Sequence, residues 1–304
     1  MTRVTSLMND EYTHDSVLLK EAIEYLAVDG EGKYLDATVG LGGHAEAILQ
    51  ILAQGHKGIM IGTDVDPEAI ERASSRLADY AARHRLIRAN FRNLGQVLDE
   101  LGIDDLSGAL FDLGVSSLQL DKASRGFSIM REGPLDMRLD PGASLTAAQI
   151  VNEWPAEQLS LLFREYADER RAGKIAKMIV AARETQPFVT TAQLAALIES
   201  KIHRTGRTHP ATRVFQALRI AVNQELENLT RGLEAVIPRI KSGGRLVVIS
   251  FHSIEDRIVK NVFRSFVADG SCKNILSTPL SPSDAELNSN ARARSAKLRV
   301  VEKI

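Results

Sequence analysis

The run Lys33-Tyr-Leu-Asp36, continued by Asp36-Ala-Thr-Val-Gly-Leu-Gly-Gly-His44 and Gly43-His-Ala-Glu-Ala-Ile-Leu-Gln-Ile-Leu52, decides the fold. A short apolar strand, a glycine turn and an amphipathic helix follow one another, and the same order then repeats. The next runs are Gly58-Ile-Met-Ile-Gly-Thr-Asp64, Arg85-Leu-Ile-Arg-Ala-Asn90 and Leu106-Ser-Gly-Ala-Leu-Phe-Asp112. Between the first two of these lies Pro67-Glu-Ala-Ile-Glu-Arg-Ala-Ser-Ser-Arg-Leu77, whose Pro67 suits a first helical turn capped by Asp66. Alternation of this kind predicts an α/β fold with a parallel sheet and helices on its faces. Val17 to Leu26 has helical periodicity ahead of it.

The alternation stops at Asp112. From about Arg125 to His209 the pattern is helical, as in Glu157 to Arg164, Ala172 to Ala182 and Thr191 to Ile198. A long helical pattern, Ala211 to Ile240, then leads through Ser242-Gly-Gly244 into the strand Arg245-Leu-Val-Val-Ile-Ser250. A half-sheet ending at Asp112 would leave an edge open, so the helical block reads as an insertion into one sheet domain. The expected division is 1–124 with 210–304 for the sheet domain and 125–209 for the insert. Ser277 to Asn290 reads as a surface loop and Lys297-Leu-Arg-Val-Val-Glu302 as a last strand.

Composition narrows the function classes. The 304 residues include 44% hydrophobic and 25% charged residues, which excludes fibrous and low-complexity architectures. Cys272 is the single cysteine, so no intrachain disulfide and no multi-cysteine metal site exists; no metal is expected. Met1 to Asp15 has neither an apolar core nor an Arg/Ser-rich amphipathic pattern, and Leu246 to Phe251 is too short to cross a bilayer. The expectation is a cytoplasmic protein with no membrane association, and a homodimer is plausible at this size. A balance of 38 Lys+Arg against 39 Asp+Glu, net −1, speaks against a nucleic-acid binder when taken globally.

In an open sheet of this class the ligand sits outside the carboxyl ends of the strands. There the sequence places Asp36 and its glycine loop, Asp64-Val-Asp66, Asn90-Phe91, and Asp112-Leu-Gly-Val-Ser-Ser117. Glycines admit a close backbone approach, and an acid about twenty residues further on can accept both ribose hydroxyls of a nucleoside. Gly40 to Ala45 formally matches the G-x-G-x-x-G/A dinucleotide pattern, a weak signal by itself. Asp36 tips the choice toward S-adenosylmethionine, because a carboxylate can hold the loop or the cofactor's ammonium group whereas a pyrophosphate beside it would be repelled.

Taken together, Gly42-Gly-His44, Asp64-Val-Asp-Pro67, Asp112 to Ser117 with Gln119-Leu-Asp121, Arg125-Gly-Phe-Ser128, Gly133-Pro-Leu-Asp-Met-Arg138, His209-Pro-Ala-Thr-Arg213, Ser250-Phe-His-Ser-Ile-Glu-Asp-Arg257 and Ala291-Arg-Ala-Arg-Ser295 strongly resemble one family. It is the bacterial family of ribosomal small-subunit RNA (cytosine-N4) methyltransferases, and the matches run from His14 to Arg299. The resemblance implies a class I, Rossmann-like methyltransferase sheet with an inserted all-helical domain and S-adenosyl-L-methionine as methyl donor. It implies 16S rRNA, in the small ribosomal subunit or its precursor, as partner, with cytosine 1402 of the decoding region as acceptor. Carried over by motif, Gly42, Gly43 and His44 would line the methionine end of the cofactor and Asp64 its ribose. Phe91 and Asp112 would flank the adenosine and methionine portions, and Gln119 would complete the pocket. For Phe91 a core aromatic at a strand end is an equal reading, and for His44 the alternative is backbone capping of a helix start.

Cytosine N4 is a poor nucleophile, so catalysis must align it with the methyl group and accept hydrogen bonds from it as charge develops. Many amine methyltransferases carry Asn/Asp-Pro-Pro-Tyr after the fourth strand; here Asp112-Leu-Gly-Val keeps the acid but not the aromatic. Asp112 is the expected catalytic residue, with Phe251-His252-Ser253 closing the other side, His252 a second catalytic candidate and Phe127 a stacking candidate. A structural role for His252 after a buried strand is equally compatible. Two basic runs, Lys201 to Arg213 and Ala291 to Arg299, offer Arg204, Arg207, Arg292 and Arg294 as RNA contacts. An NAD-dependent oxidoreductase and a non-catalytic RNA-binding assembly protein remain as alternatives.

Overall fold

A computed structural model describes residues 16–202 and 208–304. The first part of the chain alternates as expected: α1 (Leu19–Leu26), β1 (Lys33–Asp36), α2 (Gly43–Leu52), β2 (Ile59–Asp64), α3 (Pro67–Arg76), β3 (His84–Arg88), α4 (Leu94–Leu101) and β4 (Leu106–Asp112). Asp66 caps α3 by accepting the Glu68 N–H at 3.0 Å, with Pro67 in the first turn. After the short α5 (Ser117–Asp121) comes the helical block, α6 (Ala147–Glu153), α7 (Ala156–Ala167), α8 (Ala172–Arg183), α9 (Thr191–Lys201) and α10 (Thr212–Asn223). Then follow α11 (Glu225–Val236), β5 (Ile240–Ser250), α12 (Ser253–Ala268), β6 (Cys272–Asn274), α13 (Asp284–Ser289) and β7 (Lys297–Lys303).

The strands form one seven-stranded sheet in the order β3-β2-β1-β4-β5-β7-β6. Strands β1 to β5 are mutually parallel, whereas β7 runs antiparallel to both β5 and β6. Alternate residues bury on opposite faces: Leu35, Ile61, Ala109, Phe111, Leu246 and Val248 on one, Tyr34, Met60, Leu110, Val247 and Ile249 on the other. Both faces are covered by helices, which is why these strands read as unbroken apolar runs. Among the described residues no helix is long and apolar enough to cross a membrane.

The structure differs from the sequence reading at four places. The pattern from Ala211 to Ile240 is two helices, broken at Gln224 in the left-handed conformation (φ 52°). Helix α10, expected on the sheet-domain side of a boundary at 209, packs Val214, Phe215, Leu218 and Val222 into the same core as Ile150, Phe163, Ile175 and Ile198 of the insert. Strand β6 was too short to show any alternation, and the 277–290 loop contains α13.

Where the insert leaves the sheet, Gly126 adopts φ 73°, and a Cβ there would stand 2.0 Å from the Pro134 carbonyl oxygen. Gly126→Ala therefore combines a left-handed backbone with a backbone clash. It is expected to destabilise the protein by about 2 kcal/mol or more. A thermal or urea midpoint unchanged from wild type would contradict this.

Candidate active site

Strands β2, β1 and β4 are neighbours, and each ends in an aspartate: Asp64, Asp36 and Asp112. The order of connections reverses between β1 and β4, so a crevice opens beyond these carboxyl ends. It is a cleft of about 1040 Å³ lined by Gly40, Gly43, His44, Asp64, Phe91, Asp112 and Gln119 from the sheet domain. The opposite wall is Leu139 and Asp140 of the insert, Arg219 and Asn223 of α10, and Glu225 and Asn228 of α11, with Phe251 at the end of β5.

Asp64 organises the glycine turn. Its Oδ2 accepts the Gly40 N–H at 3.0 Å and its Oδ1 the Asp66 N–H at 2.9 Å. Each carboxylate oxygen retains lone-pair capacity for a hydroxyl. Gly40 (φ 50°) and Gly42 (φ 85°) supply the left-handed conformations that bend the chain into α2, while Gly43 is the one of the 42–43 pair that lines the cleft. His44, buried at the start of α2, lies with Nε2 3.1 Å from the Val17 carbonyl oxygen. A carbonyl only accepts, so the ring proton sits on Nε2 and Nδ1 faces Asp112 Oδ2 at 3.6 Å.

Among the described residues none of the three carboxylates pairs with an arginine or lysine. Burial, reinforced by the Asp64 charge, pushes Asp36 up to about 7, although it accepts the Thr38 N–H. Burial likewise takes Asp64 to about 6 against the pull of its backbone donors. Desolvation, and then the charges of Asp36 and Glu255, hold Asp112 well above the usual carboxylate range. The Asp112 side chain is 24% exposed, yet its Oδ1 is fully shielded and without a hydrogen-bond partner. An unmatched acceptor inside a negative pocket fits a ligand that brings positive charge and N–H groups. No group of three or more His, Cys, Asp or Glu among the described residues is placed to hold a metal ion.

Asp36 gives a pH dependence with a definite sign. Its folded-state pKa lies above the unfolded value of about 3.9, so the folded protein binds this proton more tightly. The associated stability is fully present below about pH 4 and is lost as pH rises toward 7. Asp36→Asn removes the loss. The variant should be more stable than cofactor-free wild type at pH 8 by about 1–3 kcal/mol, and nearly equal to it at pH 4. Melting curves at both pH values test this, and a variant less stable at pH 8 than wild type would refute it.

The remaining candidates fall in different places. Gln119 is held rather than free: Nε2 donates to Asp66 Oδ2 at 3.0 Å and Oε1 accepts the Ser116 N–H at 2.9 Å. Arg125 joins the same oxygen at 2.8 Å and donates to the Arg138 and Leu139 carbonyls, tying the ribose-side loop to the insert. Phe91 lines the cleft while its ring rests 6.2 Å from that of Phe111, so both readings of it hold. Phe127 is buried in the helical core and does not line the cleft; the insert's apolar centre claims the ring. His252 is the N-cap of α12, its ring accepting the Glu255 N–H, and it too stands outside the cleft lining. Arg292 reaches the rim and pairs with Asp121 at 3.3 Å, whereas Arg294 is exposed on the neighbouring turn, away from the cleft. Arg204 and Arg207 lie outside the described residues.

Sequence reasoning missed Arg219, Glu225 and Asn228. Their only signal was a break in the helical pattern at Gln224, which turns the ends of two helices toward the strand ends.

Residues 11–304 match the model of the MraW methylase family. The ribosomal RNA small subunit methyltransferase H of Pelobacter propionicus is 46% identical over 96% of this chain and 99% of its own. The protein of the same name from Geotalea uraniireducens is 46% identical over 97% and 99%. Among solved structures, a putative rRNA-methylase from Clostridium thermocellum covers 96% of this chain and 100% of its own, at 13% identity and a TM-score of 0.48.

Proposed function

Because the chain belongs to the MraW methylase family, we propose that it methylates the exocyclic N4 of a cytosine in the decoding region of 16S rRNA. The coarser statement is that it is an S-adenosylmethionine-dependent rRNA methyltransferase. The observation that carries this reading is Asp112, which stands at the carboxyl end of β4 in the cleft lining beside Asp64, is partly exposed there, and has no Arg or Lys paired with it among the described residues. This field favours a cationic methyl donor and disfavours the NAD alternative. The small ribosomal subunit or its precursor would be the partner, and the cytoplasm the place of action.

When bound, the cofactor supplies an electrophilic methyl group on a sulfonium centre. The protein's part is to hold and to orient. Asp64 keeps the Gly40 turn closed and offers its free lone pairs to ribose hydroxyls. Asp112 offers its carboxylate in the cleft lining, while Asp36, buried behind it and outside the lining, holds the start of the glycine turn through the Thr38 N–H. The exposed part of the Asp112 carboxylate accepts an N–H of the incoming amine, fixing N4 in line for attack and stabilising the charge that develops on it. The base must reach this depth single-stranded or flipped out of a helix.

Incubation with labelled S-adenosylmethionine and small-subunit RNA or immature particles tests the reading. Label on N4 of one cytosine is the expected result. Transfer to a ring carbon or a ribose would overturn the N4 assignment, and transfer to no RNA form would favour the non-catalytic alternative.

A further inference from the structure

An ion-pair network on the far wall of the cleft is unused in the chemistry above. Arg219 sends Nε and Nη2 to the two oxygens of Glu225 at 2.8 and 2.7 Å. The same Nη2 lies 3.8 Å from Oε1 of Glu255, a side chain only 4% exposed. Glu255 is a hub: its Oε2 accepts the backbone N–H of Phe251 at 2.9 Å and that of His252 at 3.3 Å. Burial alone would raise Glu255, but His252 and Arg219 outweigh it and hold the carboxyl below its ordinary value, so it stays charged. Its charge is felt in turn at Asp112. Three cleft-lining residues are thus linked to one buried carboxylate: Arg219 by its side chain, Phe251 by its backbone N–H and Asp112 through the field of its charge.

Removing charges from water is costly, and a fixed buried pair is best accounted for when its geometry is used. The fork to Glu225 and the approach to Glu255 occupy Nε and Nη2 of Arg219. Among the described residues its Nη1 makes no hydrogen bond, so two donors remain on a guanidinium that cannot rotate away. The cleft therefore presents a carboxylate acceptor and fixed cationic donors in one lining, both close enough to Glu255 to feel its charge.

We propose that Asp112 and Arg219 together read the Watson–Crick edge of the acceptor base, and that this pair selects cytosine over uracil. Cytosine offers an amine donor at N4 and acceptors at N3 and O2, the complement of a carboxylate followed by guanidinium donors. Uracil would set its O4 carbonyl against the carboxylate and its N3–H against the guanidinium. Leaving both unmatched in a buried site is what makes such discrimination large. Phe251, anchored through its backbone to Glu255 and packed against Gly114, supplies the apolar wall beside the base. Glu255 and Glu225 are positioning residues in this arrangement. The inference rests on the reading that N4 of the base faces Asp112.

The test is single-turnover methyl transfer to RNA carrying cytidine or 3-deazacytidine at the target, by wild type, Arg219→Gln and Arg219→Lys. Wild type should lose about 5- to 150-fold on the deaza base, although removing the ring nitrogen makes the amine no poorer a nucleophile. Each variant should lose a similar factor on cytidine, and the deaza base should cost the variants little more. Affinity for S-adenosylhomocysteine, measured by calorimetry, should stay within about threefold, since no cofactor contact is removed. Variants as fast as wild type on cytidine, or paying the full deaza penalty, would overturn the proposal. If both variants fail to fold, the wild-type comparison decides alone: equal rates on the two bases would overturn it. Failure of the underlying reading looks different, since wild type would then place no methyl group on N4 of ordinary cytidine.

Discussion

Asp112→Asn is expected to slow single-turnover methyl transfer by about 10²- to 10³-fold, the scale found when one preorganised electrostatic contact to a developing charge is removed. The substitution keeps the shape of the side chain. It removes the charge and replaces one acceptor oxygen with a donor, so an amine approaching the exposed part of the side chain loses either its acceptor or the field behind it. Desolvation together with the Asp36 and Glu255 charges keeps Asp112 hard to ionise until positive charge arrives. The carboxylate is thus poised to respond to the donor and the acceptor together. Affinity for S-adenosylhomocysteine, which has no sulfonium charge, should change by less than about tenfold. Turnover and cofactor affinity both near wild type would remove Asp112 from the chemistry.

Asp64→Ala should weaken cofactor binding by about 10²-fold, with methyl transfer largely recovered at saturating cofactor. Two hydrogen bonds to a charged oxygen are lost, to Gly40 and to Asp66. Bonds of this class are each worth about 1.5–3 kcal/mol. Their loss frees the turn that carries Gly42, Gly43 and His44 to the cleft, and the ribose loses its acceptor at the same time. Part of the cost is returned because a carboxylate that burial raises to about 6 no longer has to be kept in the empty site. Calorimetry at pH 7.5 is the measurement; an unchanged dissociation constant would show that the ribose is held elsewhere.

The part of the cleft proposed for the cofactor is built from segments the sequence already marked, because they are local. Strand, turn and helix follow each other within a few residues, and the Asp66-Pro67 cap marks a helix start wherever the rest of the chain goes. A parallel sheet then brings the strand ends together without further information. The acceptor half was not legible, because Arg219, Glu225 and Asn228 face the cleft only once α10 has docked in the insert's core. Phe127 shows the converse. An aromatic after a glycine looked available for stacking, but the helical core needed its surface more. His252 is a third case: a polar ring after a buried strand served the backbone of α12, while its neighbour Phe251 lines the cleft and Glu255 is buried behind it.

The placement of the insert between β4 and β5 also bears on how the chain is made. The residues proposed for the cofactor lie before the insert, whereas of the residues proposed for the base only Asp112 does, Arg219 and Phe251 lying at its end or beyond it. During synthesis, β1 to β4 leave the ribosome with β4 as an unpaired edge, and its partner β5 follows only after the whole helical block has been translated. At about 5–20 residues per second this interval lasts many seconds, long enough for a strand such as Leu106–Asp112, apolar on both faces, to seek another partner. Early folding of the insert on its own core shortens the separation that β5 must close, so the helical block serves as a scaffold for completing the sheet as well as a wall of the cleft.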